Sequence, residues 1–165
     1  MKKIYIAGFD VFKKNSIQIG EQYCELCKKY SFKGLYPLDN KVDFNQPKQK
    51  IAQDIFRANK SMIESCDIII ANLNQFRGQE ADSGTIWECG YGFGLGKVVY
   101  GYMENTKDYI DTFSNTIKGE DGLVYDENGM FIEDFSYPIN LMIACSINKI
   151  TQGSFEDVLK RIANV

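Results

Sequence analysis

Apolar positions along the chain change their spacing in a way that marks successive elements. Short apolar runs alternate with longer segments in which apolar residues recur at helical spacing. The short runs predict β-strands and the longer segments predict α-helices. Predicted strands cover residues 2–7, 33–36, 68–71, 97–102 and 146–150, and predicted helices cover residues 16–30, 46–65, a stretch ending at 96, a stretch begun by Pro138, and 155–165.

Capping residues support the start of two of these helices. Ser16 stands where the first helix begins and is expected to be its N-cap. Ser154 and Asp157 have the spacing of a capping box, with aspartate in place of the usual glutamate. The C-terminal segment is therefore expected to start its helix directly after Ser154.

The alternation of strand and helix is typical of a parallel sheet wrapped by helices. The run after Asp67 is continuously apolar, as in a central strand buried on both faces. The sequence therefore predicts an α/β fold, doubly wound and flavodoxin-like, with a mainly parallel five-stranded sheet and helices on both faces. Because ligands of such sheets bind at the carboxyl ends of the strands, the loops after Ala7, Tyr36 and Ala71 are expected to converge on one site.

One long segment, at about residues 103–136, interrupts the pattern. It is polar, rich in Asp, Asn and Gly, and too long for a simple connection. We expect an irregular insertion that serves as a lid or an interface arm. The length of 165 residues suits one domain that covers residues 1–165.

Composition limits the partners. The formal net charge is −3 and no basic block is present, which argues against a nucleic acid polymer or an anionic membrane as a partner. No window approaches the roughly 18 apolar residues of a membrane span. The apolar run near the N-terminus is too short for a signal peptide and is interpreted as a strand. We therefore expect a cytoplasmic protein.

Histidine is absent, which excludes Ser-His or Cys-His nucleophile activation and His-ligated zinc. Acid–base chemistry would fall to carboxylates, tyrosines, cysteines or lysines. Cys24 and Cys27 form a lone CxxC inside a helical pattern and are interpreted as a packed pair. The glycine-rich run at 90–96 lacks the G-x-G-x-x-G spacing of a dinucleotide site and is interpreted as helix-on-sheet packing with a helix end at Gly96. No metal and no cofactor are expected.

Glu88 is the candidate for chemistry. Gly84 and Thr85 precede it on the same helical face, and Tyr91 and Gly92 follow on that face. Small residues beside an acid leave room for a ligand, and glycine costs a helix about 1 kcal/mol against alanine. A surface helix whose glycines serve packing remains the alternative.

The residues around this helix start have structural alternatives as well. Either Asp82 or Ser83 could be the N-cap. Arg77 and Glu80 could form a loop ion pair. Tyr5 lies on the first predicted strand, where a core tyrosine is the default, although a hydroxyl that reached Glu88 would orient its carboxylate.

Four motifs in order, KIYIAG, PLDN, FRGQEADSGTIWECGYG and PINLM, resemble the nucleoside 2-deoxyribosyltransferase family across nearly the whole chain. The resemblance implies the doubly wound fold predicted above. It also implies retaining transfer of a 2-deoxyribosyl group between nucleobases through a covalent glutamate intermediate, with a deoxynucleoside and a free nucleobase as substrates.

The resemblance also implies roles for particular residues. Glu88 matches the nucleophile, Tyr5 the tyrosine that holds it, and Asp82 the acid that binds the sugar 5′-hydroxyl. Asn140 and Met142 match residues that complete the site of a neighbouring subunit, so a homo-oligomer is expected. The substrate-binding residues are expected to be Gly8, Asp39, Asn59, Asp82, Asn140 and Met142.

Two positions depart from the pattern of some relatives. Asn59 stands where those relatives carry an aspartate that manages the proton on the base, and an amide cannot deliver a proton at neutral pH. Lys41 stands where some relatives place a glutamine that contacts the base. Because water can capture the same intermediate, a nucleoside or deoxynucleotide N-glycosidase is the nearest alternative. A non-catalytic nucleoside-binding module is the other.

Overall fold

The computed structural model describes residues 1–163. The strands are β1 (Lys3–Ala7), β2 (Lys33–Leu35), β3 (Ile68–Asn72), β4 (Val98–Met103), β5 (Thr116–Lys118), β6 (Val124–Asp126) and β7 (Lys149–Gln152). The α-helices are α1 (Ser16–Lys29), α2 (Lys48–Ser65), α3 (Ser83–Gly94), α4 (Leu141–Ser146) and α5 (Phe155–Ala163). No helix among residues 1–163 is both long and apolar enough to cross a membrane.

The main sheet has five parallel strands in the order β2-β1-β3-β4-β7. Its two faces are covered by separate apolar clusters because side chains alternate along each strand. Tyr5 and Ile69 pack on one face with Ile63 of α2 and Cys89 of α3, whereas Ile70 packs on the other face with residues of α1 and α5. The predicted flavodoxin-like, doubly wound fold is confirmed.

The switch point of the sheet lies between β1 and β3. The chain leaves β1 towards β2 on one side, and returns from β2 to β3 on the other side. The loops after β1 and β3 therefore diverge at the carboxyl edge and leave a crevice between them. Gly8 follows β1 there and allows close approach, because a Cβ at this position would lie 2.8 Å from the Asn72 Cβ.

Several element ends differ from the sequence-based predictions. Asn15, not Ser16, occupies the N-cap of α1. The last strand begins at Lys149, later than predicted, because α4 extends to Ser146 after starting beyond Pro138.

The predicted capping box at α5 is confirmed. The Ser154 backbone N–H donates to the Asp157 carboxylate at 2.9 Å, and the Asp157 backbone N–H donates weakly to the Ser154 hydroxyl at 3.4 Å. The two caps satisfy backbone groups that a helix start leaves without partners. The predicted last two residues of this helix, 164 and 165, lie outside the described residues.

The segment from 103 to 136 contains structure that the sequence pattern did not predict. A 3-10 turn covers Tyr109–Thr112, and β5 and β6 form an antiparallel hairpin apart from the main sheet. Each hairpin strand has three residues, and those of β5 are all exposed. Such short strands lack the apolar alternation that would have marked them.

Candidate active site

The candidate site is organised around the first turns of α3. Asp82 is the N-cap, because its Oδ2 accepts from the Thr85 backbone N–H at 2.8 Å and from the Thr85 hydroxyl at 2.9 Å. Ser83 is the first helical residue instead. The other carboxylate oxygen of Asp82 has no hydrogen bond within residues 1–163, so it is available to a ligand.

Glu88 and Tyr5 are in direct contact. The Tyr5 hydroxyl donates to Glu88 Oε1 at 2.5 Å and joins the inner strand β1 to α3. The Tyr5 side chain is fully buried, so packing fixes the direction of its hydroxyl. A rigid donor of this kind holds one oxygen of the carboxylate and leaves the second to face a ligand.

Burial sets the protonation of this pair. The pKa of Glu88 is raised to about 7 in total: removal from solvent raises it most, the Tyr5 hydrogen bond lowers it, and the nearby Asp82 charge raises it by a smaller amount. Burial and the Glu88 charge raise the pKa of Tyr5 above its ordinary value, so Tyr5 remains a donor. At neutral pH, the ionised and protonated forms of Glu88 are therefore present in comparable amounts.

Glu88 lines a cavity of about 530 Å³, a volume in the range of small-molecule sites. The loops after β1 and β2 contribute to this cavity together with α1, α2 and α3. The loop after β3 contributes through Asp82 at its end, whereas its earlier part lines a different cavity. The lining comprises the polar residues Ser16, Asn40, Asn59, Asp82, Thr85 and Glu88, the glycines Gly8 and Gly84, and the apolar residues Val11, Phe12, Ile17, Pro37, Leu38, Val42, Phe44 and Ile55.

The structure brings together most of the residues singled out from the sequence. The cavity is lined by Gly8, Asn59, Asp82 and Glu88. Tyr5 does not line it but contacts Glu88 from strand β1. Their roles towards a substrate stay predictions.

Three of the singled-out residues lie outside this cavity. Asp39 is exposed, and its carboxylate accepts from the Tyr36 backbone N–H at 3.0 Å, which caps the 3-10 turn Pro37–Asp39. Asn140 is the N-cap of α4, and its amide donates to Glu133 at 2.7 Å. Met142 is 72% exposed, beside an apolar groove between α3 and α4.

The helical face around Glu88 is only partly as expected. Gly84 and Thr85 line the cavity. Gly92 instead packs on the sheet, because a Cβ there would lie 2.1 Å from Ile69 Cδ1. Tyr91 stacks on Trp87 and donates to Glu64 at 2.7 Å. One glycine opens the site and another brings the helix close to the sheet.

The C-terminal end of α3 agrees with the predicted helix end. Gly96 has φ of 72°, and its N–H donates to the Phe93 carbonyl at 2.9 Å. The Lys97 N–H donates to the Gly92 carbonyl at 2.9 Å, which completes a Schellman motif. Glycine suits this left-handed position because it has no Cβ.

The proposed ion pair between Arg77 and Glu80 is wrong. The Arg77 guanidinium lies over the Phe76 ring at 4.6 Å and over the Phe12 ring at 5.5 Å. Glu80 instead accepts a hydrogen bond from the Tyr109 hydroxyl. Arg77 thus stacks against aromatic rings near the cavity lining.

Cys24 and Cys27 are free thiols, half-buried and buried respectively, as expected for a packed pair. Burial raises the pKa of Cys24 to about 11 and that of Cys27 to about 12, so neither thiol is activated as a nucleophile. Among residues 1–163, no cluster of three or more His, Cys, Asp or Glu side chains could hold a metal ion.

Sequence reasoning missed two polar contacts of the site. Asn40, within the PLDN motif, donates to Asn59 Oδ1 at 3.0 Å. Asp10 is buried and accepts from Asn72 Nδ2 at 2.8 Å, which links the segment after β1 to the end of β3. Neither contact could be predicted from sequence spacing. An aspartate inside the apolar segment FDVF did indicate that Asp10 would be buried and would need a polar partner.

The fold and this cavity define a flavodoxin-like α/β protein with a half-buried carboxylate in a small-molecule site at its switch point. The sequence profile described as "Nucleoside 2-deoxyribosyltransferase" matches residues 4–142. The chain belongs to that family, as the four motifs predicted.

Solved structures agree with this assignment. A 2-deoxyribosyltransferase from Leishmania mexicana is 30% identical, with a TM-score of 0.77 over 99% of this chain and 98% of that chain. The 2-deoxyribosyltransferase of Bacillus psychrosaccharolyticus is 20% identical, with a TM-score of 0.61 over 95% of this chain and 90% of the other.

A CMP N-glycosidase from Clostridium botulinum has the same fold, at 14% identity and a TM-score of 0.51, over 99% of this chain and 100% of that chain. Family and fold together support deoxyribosyl transfer or a related glycosidase activity. The fold by itself is common to both reaction types, so the choice depends on the cavity.

Proposed function

We propose that this protein transfers 2-deoxyribosyl groups between nucleobases, with Glu88 as the nucleophile. The observation that carries the proposal is the Glu88 carboxylate, held by Tyr5 in a cavity of suitable volume whose other wall is apolar. Family membership supports the same reaction class.

The reaction has two displacements at the anomeric carbon. One oxygen of Glu88 attacks C1′, the bond from C1′ to the base breaks, and the base leaves with the electron pair and takes up a proton. A second base then attacks C1′, its N–H proton is released, and the bond to Glu88 breaks. Two inversions give net retention of configuration.

Asp82 suits recognition of the sugar. Its capping contacts with Thr85 fix the carboxylate, and the remaining oxygen can accept a hydrogen bond from the 5′-hydroxyl. Gly84 leaves space beside it, since a Cβ there would meet only the Asp82 side chain. Gly8 also lines the cavity, and we assign it the same role as Gly84, which is to leave space for the sugar.

Charge in the cavity favours nucleosides over nucleotides. Within the part of the chain that the structure describes, no lysine or arginine lines the cavity. Asp82 also occupies the N-terminus of α3, where a phosphate would otherwise bind favourably. A deoxynucleotide N-glycosidase would be expected to have basic or serine-rich anion contacts at this position instead of a carboxylate.

The apolar wall favours transfer over hydrolysis. Phe12, Val42, Phe44 and Ile55 offer a surface for a planar base but no hydrogen bonds for water. An acceptor base therefore competes with water for the covalent intermediate. Hydrolysis remains the second candidate because one side of this cavity is polar.

We also propose that the active species is a homo-oligomer in which Asn140 and Met142 reach a neighbouring site. Neither residue lines the Glu88 cavity of its own chain. Met142 is highly exposed beside an apolar groove of about 500 Å³, which a second copy would cover.

The test is an exchange assay with deoxyinosine and free adenine. Formation of deoxyadenosine is expected, whereas release of hypoxanthine that does not depend on an acceptor would establish the hydrolase instead. Binding of deoxyinosine without either product would indicate the non-catalytic module. With deoxyinosine alone, the intact protein should gain the mass of one deoxyribosyl group.

Glu88→Ala should lose exchange and the mass gain while keeping the fold. Glu25→Ala is the matched control, because Glu25 has a 75% exposed side chain on α1. Exchange by Glu88→Ala at the rate of the unmodified protein would remove Glu88 from the mechanism.

A further inference from the structure

Apart from the residues of α3 and its cap Asp82, the polar side chains that line the cavity are Ser16 and two asparagine amides, Asn40 and Asn59. Asn59 lies on α2, one turn after Ile55, and Asn40 lies between Leu38 and Val42. Apolar side chains therefore flank both amides, as a planar base would require. Since Asp82 and Glu88 serve the sugar in the proposed reaction, the amides are left to meet the edge of the base.

The orientation of both amides follows from a backbone carbonyl. Asn40 Nδ2 lies 2.9 Å from the Pro37 carbonyl oxygen, which can only accept, so this end of Asn40 is the nitrogen. The same NH₂ group donates to Asn59 Oδ1 at 3.0 Å. Turning Asn59 over would set two donor groups against each other.

Asn59 is consequently held as a donor. Its oxygen is engaged by Asn40, and its NH₂ group has no partner among the hydrogen bonds of residues 1–163. An ionised carboxylate here would accept, and a protonated one would donate. The amide keeps one role at all ordinary pH values because it does not titrate.

We propose that Asn40 is a positioning residue that locks Asn59 as a donor, and that the site consequently selects oxo-substituted nucleobases over their amino analogues. Hypoxanthine is thus preferred over adenine, and uracil over cytosine. An oxo oxygen accepts from Asn59, whereas an amino group in its place leaves two donors facing each other without partners. This selectivity rests on the proposed function.

The first test compares kcat/KM for deoxyinosine with deoxyadenosine, and for deoxyuridine with deoxycytidine, each as donor to one common acceptor base. The unmodified protein should prefer the oxo member of each pair by about tenfold, the size of effect expected for one matched hydrogen-bonding edge. Equal values within both pairs would overturn the proposal.

Variants then test the role of Asn40. Asn40→Ala frees Asn59 to rotate, so the oxo-to-amino ratio should fall towards one. Asn40→Asp, which can only accept, should turn the Asn59 NH₂ group towards itself and shift the ratio towards amino bases. Asn45→Ala, an exposed asparagine of the same segment outside the cavity, is the control and should keep the ratio.

A purely structural role for Asn40 would lower activity on both members of a pair and leave the ratio unchanged, which would overturn the proposal. The failure of the proposed function is a separate result. If no donor supports exchange, calorimetric binding of the four nucleosides still measures the oxo preference, and equal affinities would overturn it.

Discussion

At the residue scale, the chemistry of the site depends on one carboxyl group. Glu88 has a pKa near 7 because burial disfavours its charge, while the Tyr5 hydrogen bond stabilises that charge. The two effects oppose each other, so small changes around the pair should move its titration. This balance leads to one prediction about the pH dependence of exchange and one about the stability of the fold.

The first prediction concerns the pH dependence of exchange. Since Glu88 must be ionised to attack, kcat/KM should rise with pH and level off above a midpoint of about 7. Tyr5→Phe removes the hydrogen bond that lowers the Glu88 pKa, so the midpoint should move to higher pH. Rates measured from pH 5 to about 9 would check this, with Tyr125→Phe on the remote β6 as control. An unmoved midpoint in Tyr5→Phe would contradict it.

The second prediction concerns stability. The Glu88 pKa is raised in the folded protein, so its favourable contribution is complete below the unfolded value of about 4.3 and is lost as pH rises through 7. Glu88→Gln should therefore be more stable than the unmodified protein above pH 7, by at most about 4 kcal/mol. The difference should shrink towards pH 4. Urea unfolding at both pH values measures it, and a constant difference would refute the assignment.

At the element scale, α3 combines an open site with close packing. Gly84 leaves space at the cavity, and Gly92 brings the helix against Ile69 of β3. Helical spacing placed both glycines on the face of Glu88, but only the position of the sheet distinguishes them. Glycine is unfavourable inside a helix, and here close packing offsets that cost.

The third prediction uses this contrast. Gly92→Ala should destabilise the fold by about 1–3 kcal/mol, because the new methyl group overlaps the buried Ile69 side chain. Gly94→Ala meets open space and should be neutral or stabilising by up to about 1 kcal/mol. Chemical denaturation of the two variants checks the prediction, which fails if their stabilities are equal.

At the scale of the whole molecule, the sheet order assembles the candidate site from distant parts of the chain. Tyr5 on β1 meets Glu88 on α3, although 83 positions separate them. Asn140 and Met142 remain outside this assembly. A site completed by another copy of the chain would give them the role that the family resemblance implies.

The fourth prediction tests this shared site by complementation. Asn140→Ser keeps a capping residue on α4 but removes the amide, and both Asn140→Ser and Glu88→Ala should be nearly inactive alone. Unfolding the two together and refolding the mixture should restore part of the exchange activity, because mixed oligomers contain sites with both residues intact. Activity no greater than the sum of the separate variants would contradict a shared site.

Much of the fold could be predicted because its signals are local. Continuous apolar runs indicated buried parallel strands, and the Ser154 and Asp157 spacing indicated a helix start, since both depend on neighbours a few positions away. The β5–β6 hairpin was missed, because three-residue exposed strands carry no such pattern.

The same distinction between local signals and tertiary contacts applies to the candidate site. The sequence by itself determined which carboxylate, tyrosine and amide were candidates, through motif identity and helical spacing. Only the tertiary structure decided that Asp39 lies outside the cavity, that Asp82 caps α3, and that Asn40 fixes the orientation of Asn59. Such contacts form between side chains on different elements, and their geometry depends on packing that no local pattern records.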